Sequence, residues 1–139
     1  MIQIYTTPSC ASGRKAKKWF DQYKIPYSEK NIFSIKLSKE DIFRMLANSE
    51  NGFDDIISTR SKVFKEKKLD PDNMSVQELI EFIIDYPSVL KRPIIINENE
   101  LQVGYNNEDI TIFLPKELRN LDSFSDFDAE PINVKYSKK

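Results

Sequence analysis

Between Ile2 and Phe33 the hydrophobic period of this chain changes twice, and that change restricts the fold more than any other feature of the sequence. Ile2-Gln3-Ile4-Tyr5-Thr6 alternates apolar and polar residues, the period of a strand, and runs into the loop signal Thr7-Pro8-Ser9. Ala16, Trp19, Phe20 and Tyr23 then recur at i, i+3, i+4 and i+7, with Lys15, Lys17, Lys18 and Gln22 off that face. This is the pattern of an amphipathic helix that starts just after Cys10. Ile25-Pro26-Tyr27 stops it, and Tyr27 to Phe33 reads as a second strand. The three elements predict a β-α-β unit with parallel strands beside a core helix.

Beyond this unit the signals turn helical. Ser38 with Asp41 three residues on is a helix start, and Ile42, Phe43 and Leu46 are expected to form the buried face of a helix ending at Asn51-Gly52. Ser75 is a second helix start, with Glu78 completing a capping box, followed by inward-facing Leu79, Ile80 and Ile83 before Pro87. Asp54 to Lys67 reads as a further helix or two, so residues 38–86 are expected to be a helical insertion. Pro93-Ile94-Ile95-Ile96 and Leu101-Gln102-Val103-Gly104-Tyr105 flank the turn Asn97-Glu98-Asn99-Glu100, a β-hairpin pattern. Asn107 to Leu114 is expected to close the fold as a helix. Past Arg119 the periodicity is lost among Asp122, Asp126, Asp128 and Glu130, so the expectation is one α/β domain over 1–119 and a flexible tail over 120–139.

Composition removes several classes of function. The 139 residues, 40% apolar and 12% aromatic, suit one ordinary core. With 21 basic and 22 acidic residues the net charge is -1, so any nucleic-acid contact must come from a local patch. One cysteine makes no internal disulfide, and the opening residues lack a basic, apolar leader, so a cytoplasmic location is expected. No apolar run reaches the roughly 18 residues of a membrane span, so no membrane partner is expected. The absence of histidine removes the commonest metal ligand and neutral-pH base, so no metal site and no cofactor are expected.

Three positions carry chemistry. Cys10 stands between a strand end and a helix start in Pro8-Ser9-Cys10-Ala11-Ser12-Gly13-Arg14, where the free amides of the helix, Arg14 and Lys15 surround its sulfur with positive charge. A lone cysteine elsewhere is more often a small buried hydrophobe. Arg60, and Arg92 in front of Pro93 at the start of an apolar strand, are by default solvated surface residues. Set beside Cys10, their guanidinium groups would make a pocket for an oxyanion. The basic cluster Arg60, Lys62, Lys65, Lys67 and Lys68 is either a solvated helix face or a contact for DNA phosphates.

These residues belong to longer blocks: Tyr5-Thr6-Thr7-Pro8-Ser9-Cys10, Arg14-Lys15-Ala16, Asn31-Ile32-Phe33-Ser34, Asn51-Gly52, Ile56-Ile57-Ser58-Thr59-Arg60-Ser61-Lys62, Arg92-Pro93-Ile94-Ile95-Ile96 and Leu101-Gln102-Val103-Gly104-Tyr105-Asn106. From Ile2 to about Arg119 the chain resembles the Spx family of global transcriptional regulators of low-GC Gram-positive bacteria. The resemblance implies a thioredoxin-like fold of the arsenate-reductase and Spx type, a mixed four-stranded sheet with a helical insertion. It implies a non-enzymatic stress-response regulator that binds the C-terminal domain of the RNA polymerase α subunit, under adaptor and protease control. By the same resemblance Gly52 lies at the polymerase contact, Arg92 is linked to the state of the redox loop, and Lys62 meets promoter DNA only within the polymerase complex.

Two positions depart from that pattern. Gly13 stands where the family has the second cysteine of Cys-x-x-Cys, so an internal disulfide switch is impossible, and Ala47 stands where common members have an arginine. Control by abundance, a mixed disulfide at Cys10, or a substituted form made to abolish the switch are all compatible with Gly13. The chain is also similar to glutaredoxin-coupled arsenate reductases, in which Cys10, Arg14, Arg60 and Arg92 would be the catalytic set. Those enzymes use a further arginine on the second hairpin strand, where this chain has Val103-Gly104-Tyr105. A third reading is a thiol-binding module carrying glutathione on Cys10.

Overall fold

A run of three isoleucines, Ile94-Ile95-Ile96, is stable only where both faces of a sheet are covered, and all three are buried. In the computed structural model, which describes residues 1–115, they form strand β3 (Ile94–Ile96) beside β1 (Ile2–Thr6), with β2 (Tyr27–Asn31) and β4 (Leu101–Val103) outside them. The strand order is β2-β1-β3-β4; β1 and β2 run parallel, and the other two pairs are antiparallel. This is the expected mixed four-stranded sheet. The expected tail at 120–139, with residues 116–119 of the expected domain, lies outside the described residues.

The helices are α1 (Ala11–Gln22), α2 (Lys39–Ala47), α3 (Phe53–Ile56), α4 (Lys62–Glu66) and α5 (Val76–Asp85), of which α2 to α5 form the insertion. Strand alternation divides the core into two. Ile2, Ile4 and Ile95 point to one side and pack with Ala16, Trp19 and Phe20 of α1 and with Ile110 and Phe113. Tyr5, Ile94 and Ile96 point to the other, against Ile42 and Met45 of α2 and Leu79, Ile80 and Ile83 of α5. Each buried isoleucine contributes about 1.5–3 kcal/mol. The expected capping box is made at Ser75 with Glu78, and the helix start at Ser38 with Asp41 is a capping box as well.

Three expectations shift. Phe43 is 52% exposed, and Met45 takes the place expected for it, because one residue past Ile42 the helix has turned about 100° and i+3 is back on the buried stripe. Helix α2 stops at Ala47, with Asn48 as its C-cap, before Asn51-Gly52. The closing helix is a 3₁₀ segment at Asp109–Phe113 rather than an α-helix over 107–114.

One polar contact ties the insertion to the sheet. The Tyr5 hydroxyl donates to Asp41 Oδ1 at 2.8 Å, with Gln3 Oε1 at 2.9 Å as its alternative acceptor and Arg44 donating to it at 3.3 Å. Burial, then the Asp41 hydrogen bond and charge, push the Tyr5 hydroxyl well above the usual phenol range. Burial also works to raise the Asp41 carboxyl, but the Ser38 backbone N–H, the Tyr5 and Ser38 hydroxyls and Arg44 outweigh it and hold it below the usual range. Because the folded value is depressed, Asp41 stabilises the fold above its unfolded value of about 3.9, and that stability is lost as pH falls through the folded value. Tyr5→Phe is expected to cost about 1–2 kcal/mol in urea unfolding at neutral pH and to flatten the loss of stability below pH about 4. An unchanged acid limb in the variant would show that the hydroxyl does not set the Asp41 proton.

Candidate functional site

Cys10 is the N-cap residue of α1, with extended backbone, and its Sγ accepts the Gly13 N–H at 3.3 Å. Its own N–H donates to the Thr7 carbonyl at 3.1 Å, closing the turn out of β1. The thiol is partly exposed at the wall of a cavity of about 480 Å³, together with Arg60, Arg92, Lys91 and the hydroxyls of Thr7, Ser9, Ser58, Ser61 and Ser88. The Arg92–Pro93 peptide bond is cis, and the Arg92 guanidinium lies over the Phe33 ring, 5.5 Å from its centroid. A guanidinium held over a ring spends none of its N–H donors on hydrogen bonds to it.

The cavity is lined by Cys10, Arg60 and Arg92, which come from three separate stretches of the chain. Arg14 is different. Its Nη1 donates to the Pro8 carbonyl at 2.8 Å, and the side chain lines a separate hollow with Lys15, Lys17 and Lys18. Gly13 occupies the buried stripe of α1, so the next residue is turned outward, away from the thiol cavity.

Gly52 stands elsewhere, at φ +64° and ψ −131°, as the N-cap of α3. Asp55 shapes this turn by accepting the backbone N–H groups of Glu50 and Asn51, both at 2.9 Å. The Asn51 N–H foremost, against a smaller penalty from burial, and then the Asn51 amide, the Glu50 N–H and Lys91 hold the Asp55 carboxyl below the usual range. A Cβ on Gly52 would meet nothing within 4 Å, so the turn is presented to open space. Lys62 begins α4 with a side chain 86% exposed, 3.8 Å from Glu66, an ion pair too solvated to hold it.

Sequence reasoning did not single out Asp55, Ser58, Lys91 or Gln102. The nearest signal was Asn51-Gly52 followed by an acid three residues on, a turn whose orphan amides need an acceptor. Ser58 and Lys91 are brought together by the isolated bridge between Ile57 and Leu90, a pairing with no local signature.

The model of the ArsC family matches residues 5–113. Over 119 residues the chain is 50% identical to global transcriptional regulator Spx 1 of Bacillus cereus, covering 86% of this chain and 91% of that protein. The chain belongs to the Spx branch of the ArsC family. Its identity to global transcriptional regulator Spx of Bacillus subtilis is 48% over 120 residues, covering 86% of this chain and 92% of the relative. An arsenate reductase from Vibrio cholerae superposes with a TM-score of 0.70 at 20% identity, covering 81% of this chain and 97% of that one, which shows the shared fold.

Within this Spx-branch site Gly13 is tightly enclosed. A Cβ built there would lie 2.2 Å from Thr6 Oγ1 and 3.1 Å from Thr6 Cβ. Thr6 is fully buried, and its hydroxyl has no hydrogen-bond partner among the described residues. Any larger residue at position 13 must therefore displace a β-branched side chain at the end of β1. Gly13→Ala is expected to cost about 1–3 kcal/mol from this overlap, less whatever helix propensity returns. Adding Thr6→Ala should recover most of the loss. Chemical denaturation of the two single variants and the double variant checks this, and strictly additive losses would count against the overlap.

Proposed function

We propose that this chain is a Spx-type transcriptional regulator that acts by docking on the C-terminal domain of the RNA polymerase α subunit, without an internal disulfide switch. The observation that carries the reading is the 50% identity over 119 residues to a protein named global transcriptional regulator Spx 1. The Gly52 turn supports it further: Asp55 fixes its backbone, and Gly52, with no side chain of its own and open space where a Cβ would lie, leaves the main chain at that point open to a partner. In this reading promoter DNA is met only within the polymerase complex, with exposed Lys62 as a phosphate contact. Cytoplasmic location, stress-responsive control and turnover through an adaptor and a protease belong to the same reading.

The second reading is an oxidoreductase of the arsenate-reductase kind, favoured by the grouping of Cys10, Arg60 and Arg92 around one cavity. Against it, Arg14 is turned away and no arginine follows Arg92 on the hairpin, so the cavity offers two guanidinium groups where the enzyme reading called for four. Charge-assisted hydrogen bonds are worth about 1.5–3 kcal/mol each, so each missing group weakens oxyanion binding by an order of magnitude or more. Glutathione held on Cys10 remains a reading of the same thiol.

A calorimetric titration with the purified α C-terminal domain decides between them. Binding is expected with equal affinity under oxidising and reducing conditions, and arsenate-dependent thiol consumption with glutaredoxin and glutathione is expected to be absent. Gly52→Arg is expected to abolish binding while the domain stays folded, at a cost of about 1–3 kcal/mol for the positive φ. Thiol turnover without α binding would overturn the proposal.

A further inference from the structure

The two edge strands of the sheet are guarded very differently. β2 reads Tyr27-Ser28-Glu29-Lys30-Asn31, with Glu29 paired to Lys17 at 2.8 Å, and charged residues of this kind discourage the addition of another strand. β4 reads Leu101-Gln102-Val103 and ends in Gly104 at φ +83°, where a Cβ would meet nothing within 4 Å. It carries no charge and no proline. Gly104 N–H bonds to the Pro93 carbonyl and Asn97 N–H to the Glu100 carbonyl, so with Ile95 opposite Gln102 the inward-bonded positions are 100, 102 and 104. The backbone groups of Leu101 and Val103 therefore point out of the sheet, and no strand pairs with them among the described residues.

A cavity of about 800 Å³ lies along this edge. Leu101 and Val103 pack toward the insertion, whereas Gln102, opposite Ile95, points to the α1 face. A single cavity lined by all three must wrap the free edge of the strand. Gln102 is 8% exposed, and its buried Oε1 accepts no hydrogen bond among the described residues. A buried acceptor left without a donor is destabilising, and natural structures keep few of them.

We propose that the β4 edge takes up an extended segment of a partner protein as a fifth strand, recognising the triplet apolar–donor–apolar. The outward amides and carbonyls of Leu101 and Val103 supply the ladder. The partner residue opposite Gln102 forms a close, non-hydrogen-bonded pair with it, and its side-chain N–H satisfies Oε1. Apolar neighbours on either side of that residue lie beside Leu101 and Val103. Around the same cavity three acids, Glu50, Asp55 and Asp109, stand against two cations, Lys91 and Arg92, a balance that favours a cationic donor, arginine or lysine. Pairing of two copies is the poorer solution, because it would bring together two rims that each carry Glu50, Asp55 and Asp109 against Lys91 and Arg92. The proposal is independent of polymerase binding, and its test contains no polymerase.

The test uses the full chain with fluorescein-labelled, end-blocked heptapeptides Thr-Thr-Ile-X-Val-Thr-Thr, X being Arg, Asn, Leu or Glu. Anisotropy is expected to rank them Arg, Asn, Leu, Glu, with Arg at least about tenfold tighter than Glu. Hydrogen exchange read by NMR is expected to slow at the Leu101 and Val103 amides when the Arg peptide binds. Gln102→Leu should reverse the order of the Asn and Leu peptides while keeping the slowed exchange, and Gln102→Met serves if that variant does not fold. The proposal is overturned if no peptide slows exchange at these two amides, or if the Asn-over-Leu preference survives the substitution. It is equally overturned if the amides are already protected without peptide, whether in a monomer or at the mass of a dimer.

Discussion

The register that sets Ile4 against Ile95 and Tyr5 against Ile94 is the constraint on which the molecule rests. It sends one cross-strand pair to α1 and the next to the insertion, so β1 and β3 serve as the floor of two cores at once. A slip of one residue would exchange these faces, placing the Tyr5 hydroxyl among Phe20 and Phe113 and leaving Asp41 without it. The insertion is long and built of short helices, α3 and α4 spanning only four and five residues, and such pieces have little stability of their own. They are held by the core cluster that the insertion shares with Tyr5, Ile94 and Ile96, to which Ile56 of α3 and the partly buried Val63 and Phe64 of α4 contribute.

What could be read from the chain follows the same division. The strand periods, the helix stripe Ala16-Trp19-Phe20 and the helix starts at Ser38 and Ser75 were visible because each is decided by neighbours a few residues apart. Phe43 was misplaced because the adjacent Ile42 and Leu46 do lie on or beside the buried stripe, and one position of helical rotation separates core from solvent. The 3₁₀ form of Asp109–Phe113 was hidden as well: Ile110 and Phe113 are three residues apart, a spacing that both helix types bury. At the site, Cys10 announced itself by its place between strand and helix. The role of Asp55 in holding Gly52, and the grouping of Ser58 with Lys91, depend on hydrogen bonds and a bridge that no local period encodes.

Gly13 changes the meaning of Cys10 more than the loss of a second thiol would suggest. The Gly13 N–H caps the sulfur, and the space of its missing side chain lies against Thr6, so the loop is complete as a one-cysteine structure. Its sulfur remains open to the cavity that holds Arg60 and Arg92. Chemistry at Cys10 is thereby confined to partners that come from outside, while the frame that presents Gly52 is untouched.

Ser58, Lys91 and Arg92 line both the thiol cavity and the larger cavity along β4. They stand on one short ridge, closed by the hydrogen bonds from Ser58 N–H to the Val89 carbonyl at 2.7 Å and from Lys91 N–H to the Ile56 carbonyl at 2.8 Å. Lys91 Nζ also reaches the Asp54 carbonyl at 3.3 Å, at the start of the helix that follows Gly52. The ridge therefore touches the thiol cavity and the open sheet edge, and reaches the α3 turn through the Lys91 side chain. Such a ridge transmits a signal only if it has two arrangements, one of which a ligand at either cavity prefers. Arg92 lines both cavities while its guanidinium lies over Phe33, a ring that is itself 59% exposed, so this is one of the weaker contacts on the ridge. A ligand at either cavity that prefers another placement of Arg92 would have that solvated contact to outweigh.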